Sequence, residues 1–391
     1  MKKRIIKTML FCVFLACILQ MPVQAKIRVR GGREYLYSES GKLLKGGWKK
    51  VKGKIYYVNQ RGVIQKGWQV IKGKKYYFKK DGTLQTGWKT IGKNTYYFSK
   101  SGKSPKRGMM LTGWQNVKKK KYYFDKWGVL ARKTWVGTRY VNNRGELVKK
   151  KTSSILKLKS QIESYIRSSC VSGSWAVYVK NLDTGASFSI NNRQMYSACL
   201  IKIFGMGAVF EKIEEGKLTY ESVKGQLYPM ITVSNNECFN SLVRLIGKHA
   251  VNDFCKEYGY TGTNQGKGIE PAANGQGLEN GTGGNLTTVE DCGAVLEDIY
   301  RGKLVSKSAS EKMMNILKQQ QLRSMIPSGV PSGVQVGNKT GNTGALIHDA
   351  AVVFGPKADY IICVMTDTVN PGAATVGIRG ISRLTYHFFN A

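Results

Sequence analysis

The chain has 391 residues, with 62 Lys and Arg against 24 Asp and Glu and a formal net charge of +38. An apolar fraction of 42% argues against wholesale disorder, and 45 Gly with only 8 Pro argue against collagen and Pro-rich linkers; the length suffices for more than one hydrophobic core. The charge makes a polyanionic partner the first expectation, but it is unevenly spread: residues 26–151 carry a net +30 and residues 152–391 only +4.

In chain order, residues 1–25 read as a secretory signal. Lys2, Lys3, Arg4 and Lys7 precede an apolar stretch from Met9 to Leu19, and Val23-Gln24-Ala25 offers a small-residue cleavage site. The apolar run is short for a membrane span, and no other segment is long enough, so no span is expected in the mature chain. Cys12 and Cys17 lie in this segment. Cys170, Cys199, Cys238, Cys255, Cys292 and Cys363 remain, an even set that permits pairing outside the cell. No Cys/His spacing suits a metal, and His249, His348 and His387 are scattered, so neither metal nor cofactor is expected.

A repeat follows. Gly-Trp recurs at Trp48, Trp68 and Trp88 with a spacing of 20, at Trp114 after a six-residue insertion, and in altered form as Thr134-Trp135. Tyr56-Tyr57, Tyr76-Tyr77, Tyr96-Tyr97 and Tyr122-Tyr123 keep the same phase. Gly-Lys or Lys-Lys before each Tyr-Tyr predicts a tight turn between two short strands. The segments Asn59–Gly62, Lys80–Gly82 and Ser99–Gly102 predict the next turns. One such hairpin cannot bury its own aromatics, whereas stacked hairpins can, which predicts an all-β hairpin solenoid.

This pattern resembles the choline-binding and related cell-wall-binding repeats of Gram-positive surface proteins. The resemblance implies that Trp48, Tyr57, Trp68, Tyr77, Trp88, Tyr97, Trp114 and Tyr123 hold a wall ligand, with cation–π attraction to a quaternary ammonium as the family's mode. A net +30 suits phosphate-bearing teichoic polymers better, with Lys on phosphate and the aromatics on sugar or choline; peptidoglycan glycan is the other wall candidate. No nucleic-acid-binding pattern is present.

From Ser154 the texture changes. Helices are predicted over Ile155–Ile166, Cys199–Glu215, Glu237–Ile246 and Thr375–Phe389. Paired strands are predicted at Trp175–Val179 and Ala186–Ile190, with further strands at Asp349–Phe354 and Tyr360–Thr366. This order suggests an α+β, three-layer (α/β/α sandwich) domain. The chain is thus expected to divide into a signal peptide (1–25), wall-binding repeats (26–150) and an α+β domain (151–391).

Four short segments in that domain belong together: Cys199-Leu-Ile-Lys202 before a helix, Ser234-Asn-Asn236 before another, Glu270-Pro-Ala-Ala-Asn274 in a Gly-rich loop, and Lys339-Thr340-Gly341 before a strand. In this order they resemble the motifs of the penicillin-recognising serine hydrolases, Ser-x-x-Lys, Ser-x-Asn, Glu-x-x-x-Asn and Lys-Thr-Gly, with the glutamate loop pointing to the class A β-lactamase branch. The resemblance implies that Lys202 accepts the nucleophile's proton, Ser234 relays a proton, and Glu270 activates a deacylating water held with Asn274. It also implies that Asn236, Lys339, Thr340 and Gly341 bind substrate.

The departure is Cys199 at the serine position. A thiolate beside an ammonium is a competent nucleophile, but sulfur's longer bonds shift the acyl carbonyl relative to donors suited to a serine ester. The expected protein is a secreted, wall-associated acyl-transfer hydrolase acting on β-lactams. The alternatives are a D,D-peptidase-type enzyme acting on D-Ala-D-Ala-type peptides, and a wall-binding protein with an impaired catalytic site.

Overall fold

The structure is a computed structural model that describes residues 26–102, 106–149, 154–270, 276–280, 283–367 and 370–391. The expected signal peptide and Asn274 lie outside the described residues. The chain divides into two compact units between Ala131 and Arg132.

The first unit is a series of antiparallel hairpins. After β1 (Ile27–Arg30) and β2 (Arg33–Leu36) come β3 (Gly47–Val51) with β4 (Lys54–Val58) and β5 (Gly67–Ile71) with β6 (Lys74–Phe78). Then follow β7 (Gly87–Ile91) with β8 (Asn94–Phe98) and β9 (Gly113–Val117) with β10 (Lys120–Phe124). The predicted tight turns form, and positive φ at Lys52-Gly53 and Lys72-Gly73 is the primed-turn geometry that matches strand twist. Lys118 and Lys119 adopt it without a glycine.

Register puts each predicted Trp opposite its predicted Tyr: Trp48–Tyr57, Trp68–Tyr77, Trp88–Tyr97 and Trp114–Tyr123. Each Trp of the first three pairs also meets the first Tyr of the following hairpin, Trp48 on Tyr76 and Trp68 on Tyr96 at 5.0 Å and Trp88 on Tyr122 at 4.9 Å. Stacking therefore buries what one hairpin cannot, and Phe78, Phe98 and Phe124 are fully enclosed. The repeat demands its turn glycines. A Cβ on Gly82 would stand 2.2 Å from Ile64 Cγ2, and one on Gly128 would stand 2.4 Å from Met110 Sδ. For the same reason the predicted turn Ser99–Gly102 is not the one that closes. The Gly108 N–H donates to the Ser99 carbonyl at 2.8 Å, because Gly108 rather than Gly102 sits over Leu84.

The second unit opens with a small sheet of β11 (Thr134–Val136), β12 (Arg139–Val141) and β13 (Leu147–Val148). Then come α1 (Ile155–Ser169), β14 (Ser174–Asn181), β15 (Ser187–Ile190), β16 (Met195–Tyr196) and α2 (Ile201–Glu214). The helices α3 (Tyr220–Thr232), α4 (Asn236–Ile246) and α5 (Ala250–Tyr258) are followed by β17 (Leu286–Thr287), α6 (Val289–Tyr300) and α7 (Lys307–Lys318). The chain ends with β18 (Gln335–Asn342), β19 (Leu346–Phe354), β20 (Tyr360–Asp367) and α8 (Pro371–Asn390).

An antiparallel sheet in the order β15-β14-β20-β19-β18 forms the middle layer. In β20, Ile361, Cys363 and Met365 join the core packed by α2 to α7, while Tyr360, Ile362 and Val364 join the core under α1 and α8. Both faces are covered, so this strand reads as a continuous apolar run. The expected hairpin solenoid followed by an α+β, three-layer domain is the observed architecture.

Candidate active site

The site lies where β18, an edge strand, meets the starts of α2 and α4. The predicted helix at Cys199 begins instead as a short 3₁₀ turn, Ala198–Leu200, with α2 proper from Ile201. Ala198 is held at φ 46°, a left-handed conformation that an alanine adopts only when its surroundings impose it. Gly341 lies close by: a Cβ there would stand 3.1 Å from Ala198 Cβ and 3.3 Å from the His348 ring. Gly341 lets β18 pass close beneath the turn that carries Cys199.

Lys202 lies one helical turn after Cys199, on the same face of the chain. Its Nζ stands 3.4 Å from Cys199 Sγ, and it donates to Asn236 Oδ1 and the Ser234 carbonyl at 2.6 Å, with Ser234 Oγ at 3.3 Å. Lys339 Nζ donates to Ser234 Oγ and to the Thr340 carbonyl, both at 2.8 Å. Ser234 thus lies between two buried lysines. It holds φ 62°, while Asn235 rather than Ser234 caps α4 by accepting from the Cys238 N–H at 2.8 Å. Capping by the neighbour leaves the Ser234 hydroxyl facing the lysines.

Asn236 and Asn240 share one face of α4 and clamp the loop ahead of Glu270. Asn236 Nδ2 donates to the Glu270 carbonyl at 2.9 Å. Asn240 accepts from the Ile269 N–H at 2.9 Å and donates to the Ile269 carbonyl at 3.1 Å. Glu270 is exposed and tied to the site through its backbone. Thr340 is buried between Lys339 and Gly341. The structure therefore brings together Cys199, Lys202, Ser234, Asn236, Glu270, Lys339, Thr340 and Gly341.

The electrostatics single out one thiol. Burial raises the Cys199 pKa, but Lys339 and Lys202, with hydrogen bonds from Ser234 and Lys202, outweigh it and the net shift is downward. Burial raises the five other described cysteines, Cys170 to about 11 and Cys292 to about 12. All six are free thiols. Burial lowers Lys202, against a partial rise from Cys199, and lowers Lys339 to about 7. The arrangement can therefore supply a thiolate and, in Lys339, a lysine that exchanges protons near neutral pH.

Two residues beside the site belong to none of the sequence motifs. His348 on β19 is fully buried, and its Nδ1 accepts from the Thr366 N–H at 3.2 Å, which leaves Nε2–H to donate to the Tyr196 carbonyl at 2.9 Å. It braces the strand that leads into the nucleophile turn. Asp349 lies opposite Thr340, accepts from Asn338 Nδ2 and the Ile326 N–H at 2.9 Å, and is pushed by burial up to about 7. A lone His or Asp in an apolar strand carries no local pattern, so no motif could have found them. Among the described residues, no group of three or more His, Cys, Asp or Glu is arranged to hold a metal ion. Among them also, no helix is long and apolar enough to cross a membrane.

Comparison with known proteins bears on the family and the fold. The Beta-lactamase enzyme family model matches residues 157–224 and 219–389, and the chain belongs to that family. The choline-binding-type cell wall binding repeat matches residues 46–64, 66–84, 86–104 and 112–130. Solved structures share the second unit's fold. An acyl-enzyme complex of PBP-A with penicillin G is 22% identical, with a TM-score of 0.52 over 60% of this chain and 97% of that one. β-Lactamases of Sphaerobacter thermophilus and Chitinophaga pinensis are 20% and 19% identical, with TM-scores of 0.52 and 0.53. They cover 59% and 60% of this chain and 96% and 100% of their own. No curated protein sequence matches the chain.

Proposed function

We propose that the second unit is an acyl-transfer hydrolase that opens β-lactams through a thioester on Cys199, and that the repeats hold it on a cell-wall polymer outside the cell. The observation that carries the nucleophile is the Cys199–Lys202 pair at 3.4 Å, in the only one of the six described cysteines whose pKa is lowered. The Cys199 thiolate attacks the lactam carbonyl, the C–S bond forms and the C–N bond breaks. The departing nitrogen takes its proton from Ser234, which is replenished by Lys202 or Lys339. Lys339 and Thr340 receive the substrate carboxylate, and Asn236 receives its amide. Water, deprotonated by Glu270, then attacks the thioester and the thiol is released.

The wall-type repeats favour a second reading, a D,D-peptidase acting on D-Ala-D-Ala-type wall peptides at the place of attachment. One experiment separates the two. Incubation of the purified chain with a chromogenic cephalosporin should give turnover and a transient acyl adduct by mass spectrometry. Glu270→Gln should trap that adduct, extending its lifetime at least about a hundredfold. Peptidase activity that survives Glu270→Gln, without β-lactam turnover in the wild type, would select the second reading. If neither activity is seen and Cys199→Ser gains it, the wild-type site is impaired by its sulfur.

A further inference from the structure

The turn that follows the last hairpin of the first unit differs from its siblings. Arg61, Asp81 and Arg107 precede the turn glycines Gly62, Gly82 and Gly108, whereas Trp127 precedes Gly128. Trp127, Trp68, Tyr96, Val70, Met110 and Lys75 line a cavity of about 320 Å³. Met110, two residues after Gly108, reaches it, its N–H donating to the Lys75 carbonyl at 2.9 Å. At the rim Trp68 is 39% and Val70 68% exposed, an open apolar surface beside an aromatic wall.

A cage for a quaternary ammonium needs ring faces that no other cation holds. Here the protein's own ammonium groups hold one. Lys75 Nζ is 5.3 Å and Lys126 Nζ 5.2 Å from the Trp127 ring centroid, both within cation–π range. An entering trimethylammonium would meet two like charges, while an anion would meet two counter-charges in a module of net +30. Aromatic faces beside paired ammonium groups suit a ligand with a C–H-rich ring on one side and a phosphate on the other.

We propose that this cavity binds a phosphate-bearing sugar unit of an anionic wall polymer, with the sugar against Trp68, Tyr96 and Trp127 and the phosphate against Lys75 and Lys126, and that it discriminates against quaternary ammonium groups. The proposal rests on the wall-attachment reading and names its ligand.

The test uses the full chain, with tryptophan fluorescence titrated at low salt against three probes: poly(ribitol phosphate) carrying N-acetylglucosamine, the same polymer without sugar, and choline chloride. The glycosylated polymer should bind saturably and more tightly than the bare one, and choline should neither bind nor compete. Lys75→Gln, at an exposed position that does not threaten folding, should weaken the glycosylated polymer about tenfold, and Lys75→Arg should stay within about twofold of wild type. Trp127→Leu should remove the preference for the glycosylated polymer.

Saturable choline binding lost in Trp127→Leu, or polymer affinity unchanged in both Lys75→Gln and Trp127→Leu, would overturn the proposal. Retention on purified cell walls separates the two levels. If the wild type and these variants are retained equally, the cavity assignment alone fails; if the wild type is not retained at all, wall attachment itself fails.

Discussion

Replacing Lys202 by Met removes the ammonium 3.4 Å from Cys199 Sγ and leaves an apolar stem in a position with no solvent exposure. A unit charge at that distance, in an effective dielectric of about 20, is worth about 5 kcal/mol. Two features of the site reduce this. Burial lowers the Lys202 pKa, and Lys339 persists as the other lysine acting on Cys199. The Cys199 pKa should therefore rise, which slows alkylation at neutral pH at least about tenfold.

The assay is iodoacetamide labelling of the native protein across pH, read peptide by peptide by mass spectrometry. Cys170, partly exposed with its thiol pushed up to about 11, serves as an internal reference that the substitution should not change. The wild type should label first at Cys199, with a midpoint below that of an ordinary thiol. An unchanged Cys199 rate in Lys202→Met, with the fold intact by the Cys170 reference, would refute the view that Lys202 sets the thiolate.

Three further outcomes follow from the geometry. Asp349 holds its proton to about pH 7 in the folded chain against an ordinary value of 3.8, so its contribution to stability is full below 3.8 and is lost as pH rises through about 7. In Asp349→Asn the Asn338 amide, whose Oδ1 lacks a partner, can turn to accept from the new amide; calorimetry should show a flatter melting temperature between pH 4 and 7 and a higher one at pH 8. Gly341→Ala places a Cβ 3.1 Å from Ala198 Cβ, which should cost about 1–3 kcal/mol and slow acylation beyond what the loss of stability explains; an unchanged acylation rate would contradict the close approach. Deleting residues 26–131 should abolish salt-sensitive wall retention and leave acyl transfer unchanged. Extending the deletion to 151 also removes the Trp135 N–H bond to Thr184 and the Gly137 carbonyl that accepts from Ser187, and should lower the melting temperature; equal melting of the two truncations would count against the contact boundary.

Parts of the fold were legible because their signals are local. The Gly-Trp and Tyr-Tyr phase fixed hairpin, turn and cross-strand register, since a two-residue loop leaves one pairing and the alternation leaves one buried face. The six-residue insertion broke that locality: Gly102 and Gly108 are both plausible turn residues in sequence, and only the Leu84 side chain underneath selects Gly108. Charge changes over Lys149–Lys159, whereas contacts change between Ala131 and Arg132. Composition records what the surface meets, and packing records which core a strand joins, so Trp135 carries the repeat's residues yet packs with the second unit.

The sequence alone determined that a basic aromatic repeat precedes a domain carrying Cys-x-x-Lys, Ser-x-Asn, Glu-x-x-x-Asn and Lys-Thr-Gly in family order, because covalent order and residue chemistry need no folding to be read. Only tertiary structure decided that Cys199 is the thiol with a lowered pKa. That outcome balances burial against two ammonium groups brought in from 3 and from 140 residues away. The same holds for Ser234 between two lysines, for His348 under the nucleophile turn and for Trp127 beside Lys75. Each effect depends on distances of a few ångströms between distant parts of the chain, and electrostatic energy depends on those distances rather than on position in the sequence.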